Sequence, residues 1–199
     1  MKRILCGIAA VVIAFAIGRI SAQDTAPSCV LCNAVHIGAD ELAAYEAIAA
    51  ATGITDQQVR STDIGKANVQ IALVRRGRLE APAPRSVAEH DLVTEVYYVL
   101  SGSGTNVTSP ELVDAERRPP DNRAVQQLNG PGHNAAAMRN PVELELSAGD
   151  VLVIPAGTGH QFTRIDDHIT YLMVRVDPDK VVPLMDEAAS RRYLDDNAP

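Results

Sequence analysis

The strongest constraint on the fold lies in the last third of the chain, where four short strand signals follow one another over residues 142–146, 151–154, 161–165 and 169–176. The short gaps between them contain the turn residues Gly149-Asp150, Ala156-Gly157 and Asp166-Asp167. No helix-length segment intervenes, which excludes a parallel sheet built from crossover helices. Short strands at regular spacing with turn residues between them predict an all-β sandwich or barrel. The middle of the chain carries the same signal more sparsely. Residues 68–75 alternate, with Val69, Ile71 and Leu73 on one side, and stop at Gly77. Residues 94–100 are rich in Val and Tyr, and Ser101-Gly102-Ser103-Gly104 predicts a tight turn into a second strand over 105–108.

Helical spacing is confined to the flanks. Leu42, Ala43, Tyr45, Ala49 and Ala50 recur on one face of a predicted helix over 40–52, and Gly53 supplies its stop. Residues 182–194 are compatible with a second short helix. The polar stretch 109–141, with Pro119, Pro120, Gly130, Pro131 and Gly132, reads as one long loop, and such a loop inside a compact domain is usually functional or mobile. A chain of 199 residues suits one well-buried domain. The expected organisation is a signal peptide over 1–22, a tether and short helix over 23–65, a barrel over 66–177 and a tail over 178–199.

Lys2 and Arg3 precede an apolar run over 4–17, and Ala22 offers a small residue before Gln23, the layout of a secretory signal peptide. The run is shorter than the roughly 20 apolar residues of a membrane span, so a periplasmic or secreted chain without stable membrane insertion is expected, with an N-terminal anchor as the alternative. Cleavage removes Cys6 and leaves Cys29 and Cys32, which in an oxidising compartment tend to close into a local disulfide. Their other reading is a redox or metal pair. Asn33 follows where haem attachment needs His, and no second Cys pair completes a tetrahedral zinc site. The formal charge of −7 becomes more negative once Lys2, Arg3 and Arg19 are gone, which argues against a nucleic-acid partner. Asn106-Val107-Thr108 has the form of a glycosylation acceptor.

Two segments carry chemistry. In the first, His90 precedes Glu95, and Tyr97 and Val99 share the strand face of Glu95. In the second, Gly149, Pro155 and Gly157 shape a hairpin that delivers His160 at the start of the next strand, with Phe162 and Arg164 on its side. These segments resemble the two motifs of the cupin family. Gly149, Pro155, Gly157 and His160 match the second motif at the family's spacing, and His90, Glu95 and Gly102 match the later half of the first. The departures are Ala88 at the family's first His, Pro82 at its leading Gly and Arg164 at its closing Asn.

The resemblance implies an antiparallel jelly-roll barrel with a divalent metal held inside by His90, Glu95 and His160. Two imidazoles and a carboxylate suit non-haem Fe, and also Mn, Zn or Ni. Three protein ligands leave positions open for water or substrate. The rival reading is a metal-free barrel in which these side chains form a satisfied polar network. Arg164 is a candidate clamp for an anionic substrate, or a partner for Glu95 or Asp166. Tyr97 is a candidate pocket donor or a wall residue. His133 is a loop His or a fourth ligand, and His36 and His168 lack supporting context. The expected functions are a small metalloenzyme of dioxygenase, isomerase or decarboxylase kind acting on a small polar or acidic substrate, a non-catalytic periplasmic binder, or a redox-linked accessory protein using Cys29 and Cys32. Small-molecule ligands are the expected partners, and the resemblance allows a homodimer.

Overall fold

A computed structural model describes residues 26–30 and 32–198, so the expected signal peptide lies outside the described residues. Cys29 and Cys32 are joined in a disulfide with Cα atoms 5.8 Å apart, as the staple reading expects. Among the described residues no helix is long and apolar enough to cross a membrane.

From Asn33 onward the chain is built on two antiparallel sheets that share one long strand. The first sheet runs β1 (Asp56–Asp63), β2 (Asn68–Arg76), β12 (Ile169–Asp177), β4 (Thr94–Ser109) and β10 (Val151–Ile154). The second takes the far half of β4 between β9 (Val142–Ser147) and β11 (Gly159–Arg164), and continues through β3 (Val87–His90), β7 (Gly132–Ala135) and β6 (Glu116–Arg117). This is the expected all-β jelly-roll barrel.

The shared strand corrects the hairpin expected at residues 101–104. β4 does not reverse there; it bends and passes from one sheet to the other. Leu100 is an extra residue in the β4–β12 register, and Gly102 adopts φ +74°. A Cβ on Gly102 would stand 2.0 Å from the His168 carbonyl oxygen, so only glycine fits this crossing. The Gly-rich stretch marks a sheet corner rather than a turn.

Register stacks the interior in layers. Val74, Tyr171 and Val99 lie side by side, as do Ala72, Met173 and Tyr97, and the next layer is Gln70, Arg175 and Glu95. The first two layers are aliphatic and aromatic and join Leu146, Ile154, Phe162, Ile165 and Ile169 in the main core. Each large apolar side chain buried this way contributes about 1.5–3 kcal/mol. The third layer is wholly polar yet fully buried. It forms the floor of the site.

The opposite face of β2 is covered too. α1 (Ala39–Thr52) ends at Gly53 in the left-handed region and lays Tyr45 beside Leu73 and Val59. α2 (Glu187–Asn197), capped by the Asp186 side chain, presents Ser190 to Tyr45 at 2.8 Å and stacks Tyr193 on it at 5.6 Å. α1 falls where spacing predicts a helix, whereas α2 starts at Glu187, inside the 182–194 segment, and runs past its end. β1 was not predicted, and it joins the sheet ahead of residue 66. The stretch 109–141 is also not a structureless loop: it contains β5 (Leu112–Val113), β6, a π-helical turn (Ala124–Leu128), β7 and β8 (Ala137–Met138). Asn106 is fully buried inside the barrel wall, which closes it to glycosylation in the folded chain.

Candidate metal centre

His90 closes β3, a short turn follows, and Glu95 enters β4 facing inward. The β10–β11 connection brings in His160; its strands pair with opposite halves of β4 and not with each other, so it is not the hairpin expected from the sequence. Its turn is fastened to the first segment, because the Gly157 N–H donates to the His90 carbonyl at 2.8 Å. Gly157 sits at φ +80°, the conformation that its motif position requires.

The three side chains converge. Nε2 of His90 lies 3.4 Å from Oε1 of Glu95, and Nε2 of His160 lies 3.4 Å from Oε2. The imidazole centroids are 5.2 Å apart, and all three residues are buried. Such spacing fits one ion, since ligand bonds of about 2.0–2.2 Å place neighbouring donor atoms roughly 3 Å apart. The His/Glu group is therefore positioned for a metal ion. Ala88 faces His160 across β3 and β11, so the strand position beside the centre offers a methyl group and no fourth ligand.

Hydrogen bonding sets which nitrogen is free. Nδ1 of His160 lies 3.2 Å from the Thr158 carbonyl oxygen and must donate to it, which leaves Nε2 with its lone pair toward Glu95. Burial lowers the His160 pKa to about 4, against the opposing pull of Glu95 and with added repulsion from His90. The ring is neutral near pH 7, as a ligand must be. His90 differs. Arg118 Nη1 is 3.3 Å from His90 Nδ1, and a guanidinium only donates, so in the neutral ring the proton sits on Nε2. To hold a cation at Nε2, His90 would need its proton on Nδ1, where the Arg118 donor opposes it.

Glu95 is the hub. Burial opposes its charge, but His90, His160 and Arg175 outweigh burial and hold its carboxyl well below the usual carboxylate range. Asn129 Nδ2 donates to Oε1 at 2.6 Å, Arg175 Nε donates to Oε1 at 3.3 Å, and the Tyr97 hydroxyl donates to Oε2 at 2.9 Å. Burial, then the Glu95 charge, pushes the Tyr97 phenol well above its ordinary pKa, so it remains a donor. Two buried amide atoms of Asn106 lack any protein partner. Asn106 is inward-facing on β4, opposite Phe162 and next along from the Thr108–His160 pair. An orphaned interior amide beside the centre fits a barrel that receives water or a ligand.

Several sequence expectations change here. Arg164 does not point inward: a bulge between Phe162 and Arg164 shifts the parity of β11, and the side chain pairs at the surface with Asp166 at 2.7 Å. His133 supplies no ligand to this centre. It lies on β7, paired across from Glu89 of β3, with Nδ1 2.8 Å from Glu89 and 3.3 Å from Asp91. The stretch 109–141 serves the centre through Arg118 and Asn129 instead. Neither residue carries a motif signal. Arg175 was legible by strand parity alone, as the inward neighbour of Met173 on β12.

No family model and no curated protein matches the chain. Similar solved structures include a cupin protein from Bacteroides fragilis (20% identity, 56% of this chain and 68% of that one, TM-score 0.33). A Bacillus halodurans protein is 13% identical over 75% of this chain and 86% of its own, with a TM-score of 0.39. A Cupin 2 conserved barrel domain protein from Salinispora arenicola is 13% identical over 71% and 82%, with a TM-score of 0.35. The fold rests on the chain's own strand order: two antiparallel sheets joined through β4, with the motif segments on β3–β4 and β10–β11, make an antiparallel β-barrel of the cupin type.

Proposed function

We propose that His90, Glu95 and His160 hold one divalent metal ion inside the barrel, and that the protein is a small metalloenzyme acting on a small polar or acidic molecule beside it. The observation that carries this reading is the pairing of each buried imidazole Nε2 with a different oxygen of one carboxylate, both at 3.4 Å. When bound, such an ion supplies a Lewis acid with open positions. The chain's own residues do the rest. Thr158 orients His160, Tyr97 and Asn129 fix the plane of Glu95, and Arg175 keeps it ionised. A cavity of about 250 Å³, lined by His160, Tyr97, Phe162 and Ala88 among others, gives a substrate room next to the centre. The Cys29–Cys32 pairing supports action in an oxidising compartment, periplasmic or extracellular.

The test is titration of chelator-treated full chain with Mn, Fe(II), Ni and Zn, followed by calorimetry and metal analysis. One ion per chain is expected, with loss of that binding in His160→Ala and in Glu95→Gln. A wild-type chain that retains no ion after dialysis, or a His160→Ala chain that still holds one, overturns the proposal. Arg118 gives a finer prediction. Its removal in Arg118→Met relieves the donor that opposes a cation on His90 and should tighten metal binding about tenfold, within the range of second-layer effects on metal affinity. Unchanged or weaker binding in the same titration would show that Arg118 does not govern His90.

A further inference from the structure

The cavity beside the centre contains one charged group that the metal reading leaves without a task. Arg76 ends β2 on the same face as Ala72 and Val74, so its side chain enters the barrel mouth. Its Nε donates to the Tyr171 hydroxyl at 3.1 Å, and its guanidinium carbon lies 5.3 Å from the centroid of the Phe162 ring. Among the described residues its terminal Nη groups have no hydrogen-bond partner, and no carboxylate lies within ion-pair distance. Neighbouring arginines are committed: Arg75 to Glu46, Arg164 to Asp166, Arg175 to Asp56 and Glu95. A partly buried cation without a counter-charge is costly, and a guanidinium cannot relieve that cost by losing its proton.

We propose that Arg76 is the recognition residue for the ligand of the barrel, and that this ligand is a small monocarboxylate. The stack on Phe162 and the bond to Tyr171 fix the guanidinium plane, so its free edge presents two parallel donors, the geometry a carboxylate takes up bidentately. Arg76 and His160 line the same cavity. A molecule held by Arg76 therefore reaches the centre. The volume of about 250 Å³ limits it, because at roughly 30 Å³ per water-sized group the space takes about eight such groups. Leu79, Ala83, Ala88 and Phe162 also line it, which suits a short body with an apolar part. Arg76 is the only cationic side chain of the lining, with His160 neutral. One positive charge matches a monoanion and leaves a phosphate monoester dianion undercompensated.

The substrate class rests on the barrel being a ligand site as proposed above, but carboxylate docking on Arg76 does not require the ion. The experiment therefore uses the full chain in chelator-treated and metal-loaded forms, titrated with propionate, lactate, pyruvate, propionamide and glycerol phosphate. Binding of at least one carboxylate in one or both forms is expected, with neither the amide nor the phosphate ester bound comparably. Arg76→Gln should weaken that binding at least about tenfold, the scale of a lost charge-assisted hydrogen bond, with metal stoichiometry unchanged. Arg76→Lys should recover only part of it, and circular dichroism reports whether each variant is folded. Failure to bind metal with carboxylate binding intact on Arg76 would sink the metal centre alone. Carboxylate binding indifferent to Arg76→Gln, equal binding of propionamide, or no carboxylate bound in either form would overturn the role of Arg76.

Discussion

Replacing Arg175 by Met is expected to cost the fold about 3–5 kcal/mol, the scale for removing one partner of a buried ion pair. Arg175 is fully buried and central in the first sheet, between β2 and β4. It donates to Glu95 at 3.3 Å and to Gln58 at 3.0 Å, and makes a further short contact with Asp56. Methionine fills similar space, so the loss comes from stranded carboxylates rather than from a cavity. Asp56 is partly exposed and can turn to water, whereas Glu95 cannot. Glu95 is then left facing the two imidazoles, Asn129 and Tyr97, with no arginine beside it. Urea unfolding of the chelator-treated chain gives the number. A loss below about 1 kcal/mol would mean that Asp56 and Glu95 do not depend on this guanidinium. Added divalent metal should recover part of the deficit, because a cation at the centre replaces the missing charge beside Glu95.

How far the sequence reveals this arrangement depends on where its information is local. The β9–β12 series is legible because each strand alternates or runs apolar and each break is a Gly, Pro or Asp turn. The convergence of His90, Glu95 and His160 is legible because Gly157 and Pro155 mark the turn that leads into His160. β1 is hidden for the opposite reason. Its sequence, DQQVRSTD, has one apolar residue, and its burial is made acceptable by distant partners: Gln57 to Tyr193 at 2.5 Å, Arg60 to Glu41 at 2.7 Å. Parity arguments fail at bulges. One extra residue after Phe162 turns Arg164 to solvent, and Leu100 converts an expected hairpin into a bend. The short strands of 109–141 have two to four residues each and pair non-locally, β3 with β7 and β5 with β8, so no periodicity announces them. Arg76 lies one residue past the strand expected over 68–75, and the strand extends to include it. The apolar alternation of Val69, Ile71 and Leu73 marks the other face of that strand, where Leu73 packs against Tyr45, so it gives no sign of Arg76.

Acidification should destabilise the metal-free chain in a specific window. In the unfolded chain the His160 ring takes a proton near pH 6.5, whereas in the folded barrel it resists until about pH 4. Between those values the unfolded state binds more protons, so stability falls as pH falls, fully present above about 6.5 and spent near 4. The span corresponds to about 3 kcal/mol at most. Glu95 acts with the same sign but lower down: its folded pKa is depressed, so its contribution holds above the ordinary carboxylate value and is lost as pH drops through the folded one. The interval from about 6.5 to 4.5 therefore isolates the imidazole. Urea midpoints of chelator-treated protein across that interval should slope downward with acid in the wild type and much less in His160→Asn. Equal slopes would mean that the ring is solvated rather than buried against Glu95. With metal present the wild-type slope should steepen, since protons and the cation then compete for the same Nε2 lone pair.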